Sequence, residues 1–419
     1  MAQCPLLSTA CRARVGRVQN RWMRIPMLCA ILCTAIMAGA CRPAPSDAHG
    51  VVYVASSHGE ILALRADDGA VAWKVETEGD PHCQPILANG LLYVDEPDVL
   101  HDTGVLYAVD TRTGAVRWKY TYQGVTSSLL LADGTLYAGA GSLTRHQGAI
   151  FAVRATDGAQ VWIRPFAPYE PVLSAIRDGV VFGGTVDGAQ LALRASDGGT
   201  VWHTASRGIA SAPPTLAGDT LYVASDALLA LKVNDGSLRW QRSQPEHLAD
   251  HAPVVANGVV YVGSSAVYAY RAADGAPLWH ASIGDGMNAP VVVGDVVYAG
   301  SEQHNSLVAL DGGNGATIWA HRAGTGVTLP TVVDGTLYLG ADTVSALRTQ
   351  DGTSLWSHPV QPSVLAAPIA RDGVVYAATA GNFDHPSHVL ALRADDGALL
   401  WDYEVGPNLY YSPLLGPAV

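Results

Sequence analysis

Cysteine is scarce in this chain and is concentrated near one end. Of six cysteines in 419 residues, four precede residue 41, so that only Cys41 and Cys83 remain in the rest of the sequence. No two cysteines are adjacent. The main part of the chain therefore has no disulfide framework of the kind that holds small secreted domains together.

Basic side chains and the common catalytic motifs are also in short supply. The chain has 25 Lys and Arg against 37 Asp and Glu, a formal net charge of −12. An acidic balance argues against nucleic acid as a partner and against electrostatic adhesion to an anionic bilayer. The sequence contains no Gly-rich phosphate loop, no Cys-x-x-Cys pair and no G-x-S-x-G elbow, which are recurrent signatures of phosphate, redox and hydrolase sites.

The N-terminal segment has the pattern of an export signal. Five Arg residues between positions 12 and 24 precede a 16-residue apolar run, Ile25–Ala40, which is followed by Cys41. A basic region, a short apolar run and small residues at the cleavage site are typical of a signal peptide. The sequence before Cys41 resembles a bacterial lipobox, although Ala38 stands where that motif usually has Leu.

We predict a lipoprotein-type signal peptide over 1–40, lipid attachment at Cys41, and a tether over 41–50. The protein is then exported and anchored to the outer face of the cytoplasmic membrane or to the outer membrane. A plain cleaved signal and a membrane anchor are the alternatives. Removing residues 1–40 removes five Arg and no acid, so that the remaining charge is 20 − 37 = −17. The lipid, rather than charge, is expected to hold the protein to the membrane.

From about residue 50 onward, one pattern recurs nine times. A Trp stands four residues after a Gly and ten residues after an Ala, with 37 to 45 residues from one Trp to the next. Such a period indicates stacked supersecondary units. The Trp residues, predicted to be structural, are Trp73, Trp118, Trp162, Trp202, Trp240, Trp279, Trp319, Trp356 and Trp401.

Each unit reads as four short strands. Runs of β-branched and aromatic residues are separated by Asn-Gly, Asp-Gly or Gly-Asp pairs, which are hairpin turn signals, and Pro opens most of the first runs, as expected for a strand start. We predict an all-β fold over 51–419, a single β-propeller of four-stranded antiparallel blades. The N-terminal strands are expected to pair with the C-terminal strand and close the ring. The count is nine blades, with an eight-bladed ring as the alternative.

The stretches ALRADDGAVAW (63–73), AVDTRTGAVRW (108–118) and ALRADDGALLW (391–401) resemble the A-x-D-x-x-x-G-x-x-x-W motif of the pyrroloquinoline-quinone-type propeller family, in its BamB-like lipoprotein branch. The Asp after the Ala survives only as Asp110 and Asp311. The family also includes quinoprotein dehydrogenases. Resemblance to those enzymes would imply two adjacent cysteines beside the cofactor and long inserts with calcium ligands. This chain has no adjacent cysteines, and its inserts are at most seven residues.

The variable length lies between the second and third runs of a unit. Units 2, 3 and 9 have seven more residues there than units 5, 6 and 8. Inserted polar loops on a rigid scaffold are where binding usually resides. Units 9, 1, 2 and 3 are neighbours in a nine-bladed ring, so the inserts form one predicted partner-binding ridge. Its residues are Asp95, Glu96, Asp98, His101, Asp102, Arg145, His146, Asn382, Asp384, His385 and His388.

Two His and Asp groups permit an alternative reading as metal ligands, Asp384 with His385 and His388, and His247 with Asp250 and His251. Solvated loop residues are the more common explanation, and we predict no metal, no cofactor and no catalytic residue.

The function predicted from the sequence is a non-enzymatic, membrane-anchored extracytoplasmic scaffold that binds a protein or an envelope polymer, with envelope protein assembly as the process that the resemblance implies. The alternative is an exported quinoprotein-like oxidoreductase or cofactor-binding sensor. The tether of Arg42–Gly50 spans at most about 30 Å. The ridge is therefore expected to face away from the membrane that holds the lipid.

Overall fold

The computed structural model describes residues 50–416 except 57–58, 80–83, 143–146, 167–170, 186, 206–211, 244–250, 285–288, 302–303, 365, 382–384, 407–408 and 410–412. Cys41, the predicted signal peptide and all of the tether but Gly50 lie outside these residues, as does Cys83. The described residues contain no helix that could cross a membrane.

The described residues form 36 strands in nine four-stranded antiparallel sheets. The first three blades contain β1 (Val51–Ser56), β2 (Glu60–Arg65), β3 (Val71–Glu76); β4 (Ile86–Ala88), β5 (Leu91–Asp98), β6 (Thr103–Asp110), β7 (Val116–Gln123); and β8 (Val125–Ala132), β9 (Thr135–Ser142), β10 (Gln147–Arg154), β11 (Gln160–Phe166). The next three contain β12 (Pro171–Arg177), β13 (Val180–Thr185), β14 (Gln190–Arg194), β15 (Thr200–His203); β16 (Thr215–Ala217), β17 (Thr220–Ala224), β18 (Ala227–Lys232), β19 (Leu238–Ser243); and β20 (Val254–Ala256), β21 (Val259–Gly263), β22 (Ala266–Arg271), β23 (Pro277–Ser282). The last three contain β24 (Val291–Val293), β25 (Val296–Ser301), β26 (Ser306–Asp311), β27 (Thr317–Arg322); β28 (Thr331–Val333), β29 (Thr336–Gly340), β30 (Thr343–Arg348), β31 (Ser354–Pro359); and β32 (Ile369–Arg371), β33 (Val374–Ala378), β34 (Ser387–Arg393), β35 (Leu399–Gly406), followed by β36 (Leu414–Gly416).

The two ends of the propeller close the ring. Strand β36 pairs antiparallel with β1, in the register Val51↔Gly416, Val52↔Leu415 and Tyr53↔Leu414, and supplies the first strand of blade 1. The predicted all-β propeller, its nine blades and its closure are therefore confirmed, and the eight-bladed alternative is wrong. Closure leaves neither end of the sheet series as an open edge.

The repeated Trp joins each blade to the next one. In blade 4, Trp202 Nε1 donates a hydrogen bond to the carbonyl of Val233 in blade 5, at 2.6 Å. Gly236 of blade 5 turns beneath the indole with a φ of 69°, and a Cβ there would lie 2.6 Å from Trp202 Cε3. Only glycine allows both the left-handed backbone and this close approach. The other eight Trp residues donate to the following blade in the same way.

The departure of the motif from Asp to Arg produces short ion pairs at the outer turns. Arg194 Nη1 lies 2.5 Å from Asp197 Oδ2, and the same i,i+3 pair recurs in five other blades. These pairs are about half exposed, so each is expected to contribute only a few tenths of a kcal/mol. Asp110, which retains the family residue, is instead bonded to Arg117, and hydrogen bonds from Arg117, the largest cause, and from Thr113 lower the pKa of Asp110 to about 2.

The antiparallel order of the strands divides the connections between two faces. The tight turns between first and second strands, and between third and fourth strands, lie on one face, here called the turn face. The connections between second and third strands, and from each blade to the next, lie on the opposite face, here called the loop face. The chain enters β1 from the turn face.

Candidate protein-binding site

The extra residues of blade 2 lengthen its strands rather than form a long loop. Strands β5 and β6 have eight residues each and pair along their whole length, from Leu91↔Asp110 to Asp98↔Thr103. The corresponding strands of blade 5, β17 and β18, have five and six residues. Blade 3 repeats the extension in β9 and β10. In blades 2 and 3 the expectation of loop insertions is corrected, because most of the added residues continue the β-ladder. In blade 9 the extra length does lie between the strands, since β33 ends at Ala378 and β34 begins at Ser387.

The turn at the end of this hairpin is held by its own side chains. Asp98 Oδ1 accepts hydrogen bonds from the backbone N–H groups of Leu100 and His101, both at 3.0 Å, and Oδ2 contacts the His101 ring. Asp102 has a φ of 56°, and its carbonyl accepts a bond of 2.8 Å from Gly124 N at the start of the next blade. An Asx-capped turn of this type is pre-organised.

The tip of the hairpin is apolar, which the sequence reasoning missed. Leu100 is 92 % exposed and Val99 is 43 % exposed. The predicted ridge consists of polar and charged residues and does not include these two. The signal available in the sequence is an apolar pair between Asp98 and His101 inside an insert, where a solvated turn would carry polar residues.

Asp95 was predicted on the exposed ridge, but the structure places it in the interior. It is 1 % exposed and accepts hydrogen bonds from the Tyr122 hydroxyl, at 2.6 Å, and from Thr126 Oγ1. Burial raises the pKa of Asp95 to about 7; the Tyr122 hydrogen bond opposes that rise and neighbouring Glu96 adds to it. Thr126 begins the inner strand of blade 3, so Asp95 ties blade 2 to blade 3.

Glu96 is also buried, and it faces the other neighbour. It is 2 % exposed, Thr77 Oγ1 donates to Glu96 Oε1 at 2.5 Å, and Gly79 N donates to Oε2 at 3.3 Å. Thr77 and Gly79 follow the last strand of blade 1. Successive residues of a strand point to opposite faces, so Asp95 and Glu96 join blade 2 to both adjacent blades. Neither carboxylate is available to a partner.

Asp102 connects the two long hairpins directly. Ser142 Oγ, at the end of β9, donates to Asp102 Oδ2 at 2.5 Å. The hairpins of blades 2 and 3 are thus in contact on the loop face. Arg145 and His146, the predicted ridge residues of blade 3, lie outside the described residues.

The blade 9 part of the predicted ridge is separated from blade 2 by blade 1. His388 Nδ1 lies 2.8 Å from Asp402 Oδ1, and His385 is exposed. Tyr376 of blade 9 donates to the Ala66 carbonyl of blade 1, at 3.4 Å, so the ring order is blades 9, 1, 2 and 3. Asn382 and Asp384 lie outside the described residues, as do His247 and Asp250. Within the described part of the chain, no group of three or more His, Cys, Asp or Glu side chains is arranged to hold a metal ion.

Comparison with known proteins identifies similar chains. The model of the family described as "Outer membrane protein assembly factor BamB" matches residues 22–168, 146–320 and 303–417. A curated relative, outer membrane protein assembly factor BamB of Yersinia pestis, is 31 % identical over 67 residues, which is 16 % of each chain. This chain therefore matches about a sixth of the length of that relative.

Among solved structures, BamB from Moraxella catarrhalis is similar with a TM-score of 0.55 and 18 % identity, over 71 % of this chain and 93 % of that chain. Dihydro-heme d1 dehydrogenase NirN in complex with DHE is similar with a TM-score of 0.56 and 12 % identity, over 78 % and 76 % of the two chains. At these identities the likeness concerns the fold alone, and this fold serves both an assembly factor and a dehydrogenase.

Proposed function

This chain belongs to the family described as outer membrane protein assembly factor BamB, and we propose that it acts as a non-enzymatic, membrane-anchored extracytoplasmic scaffold that binds another protein during envelope protein assembly. The observation that carries the proposal is the match of the family model across nearly the whole repeat region. The loop face adds a physical reason, since it presents a pre-organised hairpin on a closed, rigid ring.

The domain organisation and the location are part of the proposal. Residues 1–40 act as a lipoprotein-type signal, Cys41 takes the lipid, residues 41–50 form the tether and residues 51–419 form the propeller. Strand β1 begins on the turn face, and with a short tether we expect that face to lie nearer the membrane and the loop face to be presented to the aqueous compartment. Radiolabelled fatty acid should enter the wild type but not Cys41→Ser; label that persists in the variant would remove the anchor from the proposal.

The absence of enzymatic activity is supported by the surroundings of the most perturbed carboxyl group. Asp95 has the neutral-range pKa of a general base, but its oxygens are taken by Tyr122 and Thr126 and the residue is buried between blades. Adding pyrroloquinoline quinone and calcium to the purified protein should give neither bound-cofactor absorbance nor dye reduction. Either signal would favour the quinoprotein alternative.

The binding function is tested by affinity capture with the lipidated full chain from its native membrane. A protein of the envelope assembly machinery should be retained, and the retention should survive in Asn257→Ala, a substitution at an exposed tight turn on the opposite face. If the only retained material is polysaccharide, or if nothing is retained, the protein-binding role is wrong.

A further inference from the structure

The exposed apolar tip of the blade 2 hairpin has the properties of an anchor. Leu100 has the highest exposure among the large apolar residues of the described chain, at 92 %. The other exposed apolar side chains of the described residues are at most about half exposed, and all of them except Val99 and Leu329 lie on strands, as Ile318 does at 48 %. An apolar side chain held out in water on a rigid turn loses little conformational entropy when it is buried by a partner.

The hairpin beneath the tip is braced on both sides. Asp95 and Glu96 bond to blades 3 and 1, Asp102 bonds to Ser142, and Asp98 caps the turn itself. Four carboxylates are used within eight residues to hold one turn in place. This bracing keeps the tip in one conformation, as expected for an anchor that enters a preformed pocket.

The charge around the tip indicates what surrounds that pocket. In the loop-face half of blades 9, 1 and 2, six acidic side chains of the described residues are at least partly exposed. The Lys residues described there, Lys74 and Lys119, pair with Glu60 and Glu78. On the blade 3 side, Arg164 is bonded to the Gly198 carbonyl and to Thr200. The acidic residues are Glu60, Glu76, Glu78, Asp98, Asp402 and Glu404. Like charges across an interface are costly, so the complementary surface is basic.

We propose that Val99 and Leu100 form a peg that inserts into an apolar pocket of a partner protein, with Lys and Arg side chains around the mouth of that pocket. The proposal rests on the protein-binding function above and names the chemistry of the partner surface. A bilayer with anionic headgroups is disfavoured as the occupant by the same acidic surroundings.

The test is photo-crosslinking in the native envelope from a benzoylphenylalanine placed at position 100, with position 318 as the matched apolar control on blade 7. Position 100 should crosslink to one protein other than this chain, at an apolar peptide flanked by Lys or Arg, and position 318 should not. A crosslink to phospholipid, or to a second copy of this chain, would overturn the peg.

Affinity measurements with the purified crosslinked protein test whether the peg contributes to binding or only lies near the partner. Leu100→Ser should weaken binding roughly 10- to 100-fold, whereas Leu100→Met and Ile318→Ser should remain within about 2-fold of the wild type. Raising ionic strength from about 0.05 to about 0.5 M should slow association. Vesicles of phosphatidylethanolamine and phosphatidylglycerol serve as the membrane probe and should not discriminate Leu100→Ser from the wild type.

The outcomes distinguish the peg from the function on which it rests. If the wild type and Leu100→Ser capture the same envelope protein with equal affinity, the scaffold function stands and the peg is wrong. If neither captures a protein while both remain folded, as judged by circular dichroism and melting, the scaffold function itself fails and the peg with it.

Discussion

At the scale of single residues, the same side chains recur with a constant role and a few depart from it. Each Trp donates its indole N–H to the next blade, and eight of the nine are almost fully buried. Asp95 and Glu96 are the departures, since they place carboxylates where other blades have small or apolar residues. The cost of burying them is offset by the Tyr122 hydroxyl of the same blade and by hydroxyl and amide donors of the adjacent blades.

The Trp role gives the first prediction. Trp202→Ala should lower the free energy of unfolding by about 3–5 kcal/mol, because it leaves a cavity between blades 4 and 5 and removes a hydrogen bond. Trp202→Phe should lower the free energy of unfolding by less. Ile318→Ala, at an exposed site, should change stability by less than about 0.5 kcal/mol. Calorimetric melting of the three variants checks the order, and an unchanged melting temperature in Trp202→Ala would contradict it.

Asp95 gives a prediction about pH. Its pKa in the folded protein is raised to about 7 from an ordinary value of 3.8, so between those values the folded state binds more protons than the unfolded state. The stability that this carboxyl contributes is therefore fully present below about pH 4 and is lost as pH rises through 7.

Asp95→Asn removes this titration while keeping the shape of the side chain. Between about pH 4 and 7 the stability of the variant relative to the wild type should rise with pH, by at most about 1.4 kcal/mol per pH unit, and it should level off above about pH 7. The amide oxygen of Asn can accept from one of the two hydroxyls, Tyr122 or Thr126, and its NH2 group can donate to the other. A difference in melting temperature that does not change with pH would show that Asp95 is ionised throughout.

At the scale of elements, the rigidity of the long blade 2 hairpin depends more on its turn than on the length of its strands. Strands of eight residues pair without a bulge between β5 and β6, and the turn is closed by Asp98 and by the left-handed Asp102. A hairpin that ended in an open loop would move, and its apolar tip would lose the advantage of a fixed position.

Asp98→Ala should therefore loosen the tip without unfolding the ring. Amide hydrogen exchange at Leu100 and His101 should accelerate by at least about tenfold, as the loss of one cap of about 1 kcal/mol and of the His101 contact implies. The control is Asp274→Ala, which removes an equivalent turn carboxylate on the turn face and should leave exchange at the tip unchanged. Equal exchange in Asp98→Ala and the wild type would refute the cap.

At the scale of the whole molecule, the ring is one cooperative body because each blade needs both neighbours. Blade 1 is assembled from both ends of the repeat region, and only three residues of β36 complete it. Every other blade is formed by consecutive strands. Among the strands of the described residues, the closure pairs the two that are farthest apart in sequence.

Removing residues 413–419 should open the ring at this point. The inner edge of β1 would be exposed, so the truncated protein should melt at a lower temperature and associate through that edge. Leu414→Asp should also lower the melting temperature and promote association, because Leu414 pairs with Tyr53 inside the sheet. Light scattering and calorimetry check both; a truncated protein that remains monomeric with an unchanged melting temperature would mean that β36 does not close the ring.

The sequence alone determined the propeller and its nine blades, because these follow from local patterns. The pairing of the two ends joins distant residues, but it was predictable because the repeat region begins with a second run and finishes with a first run. Turn pairs, strand alternation and the Gly-x-x-x-Trp spacing act within a few residues or repeat in every unit, so they can be read without the third dimension. The Arg–Asp ion pairs belong to the same group, since three residues separate the partners.

Only the tertiary structure decided which residues of the candidate site face water. Asp95 and Glu96 look like surface carboxylates in the sequence, but their donors are supplied by other strands, from Tyr122, Thr126 and Thr77. Leu100 looks like a core residue, yet its side chain is 92 % exposed at the end of the long hairpin. Burial depends on what packs against a side chain, and in this ring that is set by residues distant in sequence.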